Sequence, residues 1–154
     1  MKMFYKFLML FIVCAIQAGY ALNNQDEYST LKLTIINHSK YLLTYTKVDG
    51  TKLGNTFSID TNYILPGGRA VVVGKTNSFN DLVGTLHFTD STGNGNLFKI
   101  LDYRQFHVGQ PIFVMDNEHF VSFVKSRTFN PNTNPHALTI VAAEIEIEDH
   151  FQAK

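Results

Sequence analysis

Nine short runs rich in Val, Ile, Leu, Phe, Tyr and Thr, each closed off by a cluster of Asn, Gly, Asp, Ser or Pro, constrain the fold more than any other feature. They are residues 31–37, 41–47, 55–60, 69–74, 82–89, 97–103, 111–116, 119–127 and 138–148. β-Branched and aromatic side chains suit a pleated strand, and the breakers between them suit turns. The strongest breakers are Asn37-His38-Ser39, Asp49-Gly50, Pro66-Gly67-Gly68, residues 90–96 and the Asn/Pro stretch 130–135. After the first segment, no run of 11 or more residues repeats its apolar positions at the helical period. The expectation is an all-β chain, an antiparallel β-sandwich of about eight or nine strands.

Residues 141–148 show the strand alternation best. Val141, Ala143, Ile145 and Ile147 fall on one face, and Ala142, Glu144, Glu146 and Glu148 on the other. On a helix the same spacing would scatter the apolar residues around the axis. Phe120-Val121-Ser122-Phe123-Val124 is apolar on both faces, which predicts a central strand covered on both sides.

The first 21 residues read as a cleavable secretory signal. Lys2 and Lys6 supply a positive start, Phe7 to Ile16 an apolar stretch, and Gly19-Tyr20-Ala21 the small residues that place cleavage after Ala21. A membrane-spanning helix needs about 20 apolar residues, roughly twice that stretch. A lipid anchor on Cys14 would need a small residue where Val13 stands. The reading implies a single domain from Leu22 to Lys154, exported to a periplasmic or extracellular destination. Removal of the segment also takes away Cys14, the one cysteine, so no disulfide braces the remainder and a packed core must hold it. It leaves 11 basic against 13 acidic residues, with no basic stripe of the kind nucleic acid requires.

Motifs that carry chemistry are scarce. There is no Gly-x-Ser-x-Gly elbow for a serine nucleophile. Asp102, Asp116 and Glu118 could supply a carboxylate pair, although acids at strand ends are ordinarily solvated turn residues. Six histidines (38, 87, 107, 119, 136 and 150) show no zinc-ligand spacing. His87, His107 and His119 could converge across a sheet; hydrogen-bonded surface histidines are the plainer reading. Asp90-Ser91-Thr92-Gly93-Asn94-Gly95 opens like a calcium loop, but Leu101 stands where the bidentate acid belongs, so a hairpin turn is expected. Asn37-His38-Ser39 fits the N-glycosylation pattern and is equally a good turn. No catalytic residue, metal or cofactor is assigned.

Three segments together resemble a known family. Leu33-Thr34-Ile35-Ile36-Asn37 resembles the opening strand of aegerolysins, Ile64-Leu65-Pro66-Gly67-Gly68 their Pro-Gly turn, and Gly84-Thr85-Leu86-His87-Phe88-Thr89-Asp90 their Gly-Thr strand. Phe106-His107-Val108-Gly109-Gln110-Pro111 is similar to a later segment of that family. The resemblance implies a β-sandwich that recognises membrane lipid, alone or with a larger pore-forming partner.

The residues lead to a related expectation by themselves. Phe79, Tyr103, Phe106 and Phe129 fall at loops or strand ends, where aromatic rings can meet lipid headgroups or sugar rings, and Arg69 or Arg104 could hold a phosphate. The competing reading has these rings covering the open ends of the core. Two functions therefore stand: a secreted, non-enzymatic module binding a membrane lipid or glycan through Arg69, Phe79, Tyr103 and Phe106, or a domain that pairs with a partner protein through an exposed edge strand.

Overall fold

The computed structural model describes residues 28–77, 81–102, 112–116, 119–129, 138 and 140–150. The segment ending at Ala21 lies outside them. Ten strands and no helix occur among these residues: β1 (Tyr28–Asn37), β2 (Leu43–Asp49), β3 (Thr56–Ile59), β4 (Tyr63–Ile64), β5 (Arg69–Asn77), β6 (Leu82–Asp90), β7 (Gly95–Asp102), β8 (Ile112–Asp116), β9 (Phe120–Phe129) and β10 (Ile140–Asp149). They form two five-stranded sheets, ordered β3-β5-β1-β10-β9 and β4-β2-β6-β7-β8.

Period-two burial builds the core. β6 alternates buried and half-buried along its whole length, with Leu82, Leu86 and Phe88 inward. β1 also buries every second residue, through Leu31, Leu33 and Ile35. The inward residues of both sheets make one apolar cluster around the fully buried Phe88 and Phe98. Burying each such ring stabilises the fold by about 2–3 kcal/mol.

Four expectations are corrected. The sheets are not wholly antiparallel: β1 runs parallel to β10, with Lys32 opposite Ala142 and Asn37 opposite Ile147. The extra strand is β4, whose two residues are too short to show an alternation. Residues 120–124 belong to β9, an edge strand rather than a central one, and Phe123 and Val124 are exposed. In β10, a register shift between Ile140 and Ala142 turns Ile140 into the core in place of Val141, while Ala143, Ile145 and Ile147 face inward as expected.

Strand directions sort the connections into two groups. Asn37 of β1 lies beside Ile147, Ile36 beside Arg69, Leu43 beside Asp90 and Leu97 beside Asp116. That end, called here the Asn37 end, carries the links 38–42, 60–62, 65–68 and 91–94. At the opposite end Tyr28 lies beside Asn77, Thr56 beside Lys75, Leu82 beside Asp102 and Ile140 beside Phe129. From it leaves the β2–β3 loop that holds Leu53, and so it is called the Leu53 end.

Candidate functional site

The loop joining β2 to β3 is built to hold one apolar side chain in solvent. Asn55 N donates to Lys52 O at 3.0 Å, closing a tight turn with Leu53 and Gly54 at its corners. Gly54 has φ 83°, a conformation that costs glycine nothing and most other residues strain. Asn55, itself buried, donates from Nδ2 to Asp81 O at 2.9 Å and Val83 O at 3.2 Å, anchoring the turn to the start of β6. Lys52 Nζ meets Asp81 Oδ2 at 2.5 Å, and Asp81 is only 2 % exposed. This bracing leaves Leu53 93 % exposed at the tip.

Two further large apolar side chains lie open at the same end. Ile112 opens β8 and is 52 % exposed, and Phe129 closes β9 and is 56 % exposed. The three share this end without forming one patch, Leu53 beside the β3 edge and Ile112 and Phe129 on the edge strands β8 and β9, while Tyr63 and Leu65 are exposed at the Asn37 end. The link 78–81 and the link 103–111 join strands at this end. Phe79, Tyr103 and Phe106 belong to those links and lie outside the described residues.

Arg69 stands apart from this set. It is the exposed first residue of β5, paired with Ile36 at the Asn37 end. The nine residues of β5 put about 26 Å of strand between it and Asn77, from a rise of about 3.3 Å per residue. Arg69 thus lies at the opposite end from Asn77. Leu53 and Ile112 were not singled out by sequence. The available signal was an isolated leucine in a glycine-flanked turn, Gly50-Thr51-Lys52-Leu53-Gly54.

The other sequence candidates among the described residues lie apart from one another. Asp102 is buried at the Leu53 end, whereas Asp116 lies beside Leu97 near the Asn37 end. About 16 Å of strand separates them, too far for the roughly 5–9.5 Å of a glycosidase pair. Glu118 lies outside the described residues. His87 faces outward on β6 with Nε2 2.7 Å from Asp49 Oδ2, and Lys47 Nζ reaches the same oxygen at 3.0 Å. His87 first, then Lys47, hold the Asp49 carboxyl below its usual range. His119 sits in the β8–β9 turn, away from His87, and His107 and His136 lie outside the described residues. No group of three or more His, Cys, Asp or Glu side chains that could hold a metal occurs among the described residues.

Asp90 closes the β6–β7 hairpin. Its Oδ1 accepts from Thr92 N at 2.9 Å, Thr92 Oγ1 at 2.5 Å and Asn94 N at 3.2 Å, and Oδ2 accepts from Asn96 Nδ2 at 3.2 Å. The carboxylate is spent on its own turn, as a hairpin and not a calcium loop requires. Burial raises its pKa, but the hydrogen bonds from Thr92, Asn96 and the Asn94 backbone outweigh that and hold it below the ordinary 3.8. A carboxyl depressed in the folded state contributes stability above its unfolded pKa and loses it as pH falls through the folded one. Asp90→Asn is therefore expected to cost about 1 kcal/mol at neutral pH and progressively less on acidification below 3.8, as read from urea unfolding at each pH. A penalty that stays constant with pH would remove Asp90 from the protein's acid response.

The Asn37-His38-Ser39 tripeptide is not an open glycan acceptor. Asn37 is fully buried, and its Nδ2 donates to Tyr41 O at 2.8 Å, Ile64 O at 3.0 Å and Leu65 O at 3.3 Å. No protein-family model matches the chain, and no curated protein matches it.

Proposed function

We propose that this protein is an exported, non-enzymatic binding module whose Leu53 end docks on a lipid surface. The observation that carries the reading is the braced, 93 % exposed Leu53, with Ile112 and Phe129 open at the same end. A rigid loop that presents an aliphatic side chain loses little conformational freedom on insertion, so the gain from burying it is largely retained. The chain has no Trp, so aliphatic and Phe side chains take the apolar part of the contact. We read the two sheets and their shared core as a β-sandwich, and the likeness to aegerolysins belongs to the same proposal. In support, Leu33 to Asn37 lies on β1, Gly84 to Asp90 on β6, and Ile64 to Gly68 forms the β4–β5 turn, closed by Gly68 N on Leu65 O at 2.8 Å.

The edge-strand alternative finds less support. β9 is ten residues long and presents Phe123, but it carries two register shifts against β10. Lys125 on the same strand holds Glu144 at 3.2 Å and Glu146 at 2.9 Å. Bulges and edge lysines are the devices that keep an edge unpaired.

Leu53→Asp tests the docking reading. Exposed substitutions ordinarily shift stability by less than about 0.5 kcal/mol, so the variant should fold normally. Co-sedimentation with liposomes is expected to fall at least about tenfold, consistent with the roughly 1.5–3 kcal/mol gained on burying a leucine. Undiminished co-sedimentation of the variant would exclude the Leu53 loop as the contact.

A further inference from the structure

We infer that the lipid surface met by the Leu53 end is anionic, an inference that rests on the docking role proposed above. It comes from the distribution of charge along the strands. The chain as a whole is balanced, with 13 basic and 13 acidic residues, yet register divides them unevenly between the two ends. Toward the Leu53 end lie Lys75, Arg127 and the ion-paired Lys52, against Asp81 and Asp102, with Lys32, Lys99 and Asp49 near the middle of their strands on that side, among the described residues. Two of those carboxylates, Asp81 and Asp102, are buried, while Lys32 and Lys75 are exposed on the outer face of the first sheet. Toward the Asn37 end lie Asp60, Asp90, Asp116, Glu144, Glu146, Glu148 and Asp149, against Lys40, Lys47, Arg69 and Lys125, among the described residues.

The described charges are thus polarised along the strands, with a basic excess toward Leu53, Ile112 and Phe129 and an acidic excess toward the far end, where Tyr63 and Leu65 are the exposed apolar side chains. An anionic surface would turn the basic end toward itself and repel the acidic one, before any apolar contact forms. Leu53, Ile112 and Phe129 would then supply the short-range part of the binding. Weak apolar insertion combined with basic side chains at the headgroup level is a pairing that neither part achieves alone. A nucleic-acid backbone offers nothing for Leu53 to enter, and the basic residues are dispersed rather than set in a stripe.

The test uses the purified protein with vesicles of phosphatidylcholine, with and without phosphatidylserine, at low and high salt. Binding is expected to be at least about tenfold tighter on the phosphatidylserine vesicles and to lose that preference in high salt, since each basic side chain at such a surface contributes roughly fivefold. Lys32→Glu combined with Lys75→Glu should remove most of the preference and leave binding to pure phosphatidylcholine unchanged. The salt titration reads the same property with no substitution, should that variant fold poorly. Equal, salt-insensitive binding to both vesicle types would overturn the anionic preference and leave the docking role standing. Sedimentation with neither would overturn both.

Discussion

Asn37→Asp is expected to destabilise the protein by about 4 kcal/mol or more, since breaking a buried polar network by placing an uncompensated charge in it costs in the range of 3–5 kcal/mol. The side-chain amide of Asn37 donates to three carbonyls, those of Tyr41, Ile64 and Leu65, while its Oδ1 accepts from Ser39 N at 3.0 Å and Ser39 Oγ at 2.6 Å. The backbone joins in, with Asn37 N donating to Gly68 O at 2.9 Å and Gly67 N to Asn37 O at 2.7 Å. One residue therefore ties the end of β1 to the start of β2 and to the β4–β5 turn, locking the two sheets together. A carboxylate of nearly the same shape would aim a negative oxygen at three acceptors. Urea midpoints of Asn37→Asp and Asn37→Ala are the measurement, and the alanine variant should lose less, because its cavity can admit water to the freed carbonyls. An aspartate variant within about 1 kcal/mol of the parent would show that the network is not what joins the sheets at this end.

Gly84→Ala is expected to cost about 2–3 kcal/mol, at the upper part of the range for overpacking a filled core. A Cβ at Gly84 would strike Phe57 Cε2 and stand 2.9 Å from Cζ, and one at Gly74 would stand 2.9 Å from Phe57 Cε1. The Phe57 ring thus lies in a slot between two bare backbones, one on β5 and one on β6, in opposite sheets. The ring cannot retreat from Gly84 without striking Gly74. Phe57→Leu makes room on both sides, so the double variant should be more stable than the sum of the single effects predicts, by at least about 1 kcal/mol. Additive single effects would mean that the strand shifts rather than the ring clashing.

The all-β class and nine of the strands were legible because burial repeats every second residue in runs such as β6 and β1. β4 was not, since Tyr63–Ile64 is shorter than one period of that repeat. Nor was the direction of β10, because parallel and antiparallel partners leave the same alternation in a strand. Phe123 and Val124 misled for a related reason: apolar residues on both faces suggest two covering layers, but β9 lies at the edge of its sheet and leaves them open. For the site, a sequence can place Arg69 and Phe79 near strand ends but cannot tell which end each strand presents. Arg69 opens β5 at the Asn37 end, and Phe79 lies outside the described residues. Leu53 was hidden because one leucine among turn residues has no periodicity to betray it.

The parallel pairing of β1 with β10 also governs how the molecule comes into being. Lys32 and Ala142, direct neighbours in the sheet, stand 110 positions apart (142 less 32) in a chain of 154 residues. β9 takes its place in that sheet only through β10, so two of the five strands of the first sheet cannot join it until the last described strand has been synthesised. Contacts closed over such distances form late and slowly compared with hairpins. A nascent chain of this topology stays without its finished core throughout translation, the state in which a polypeptide can be threaded through a narrow channel.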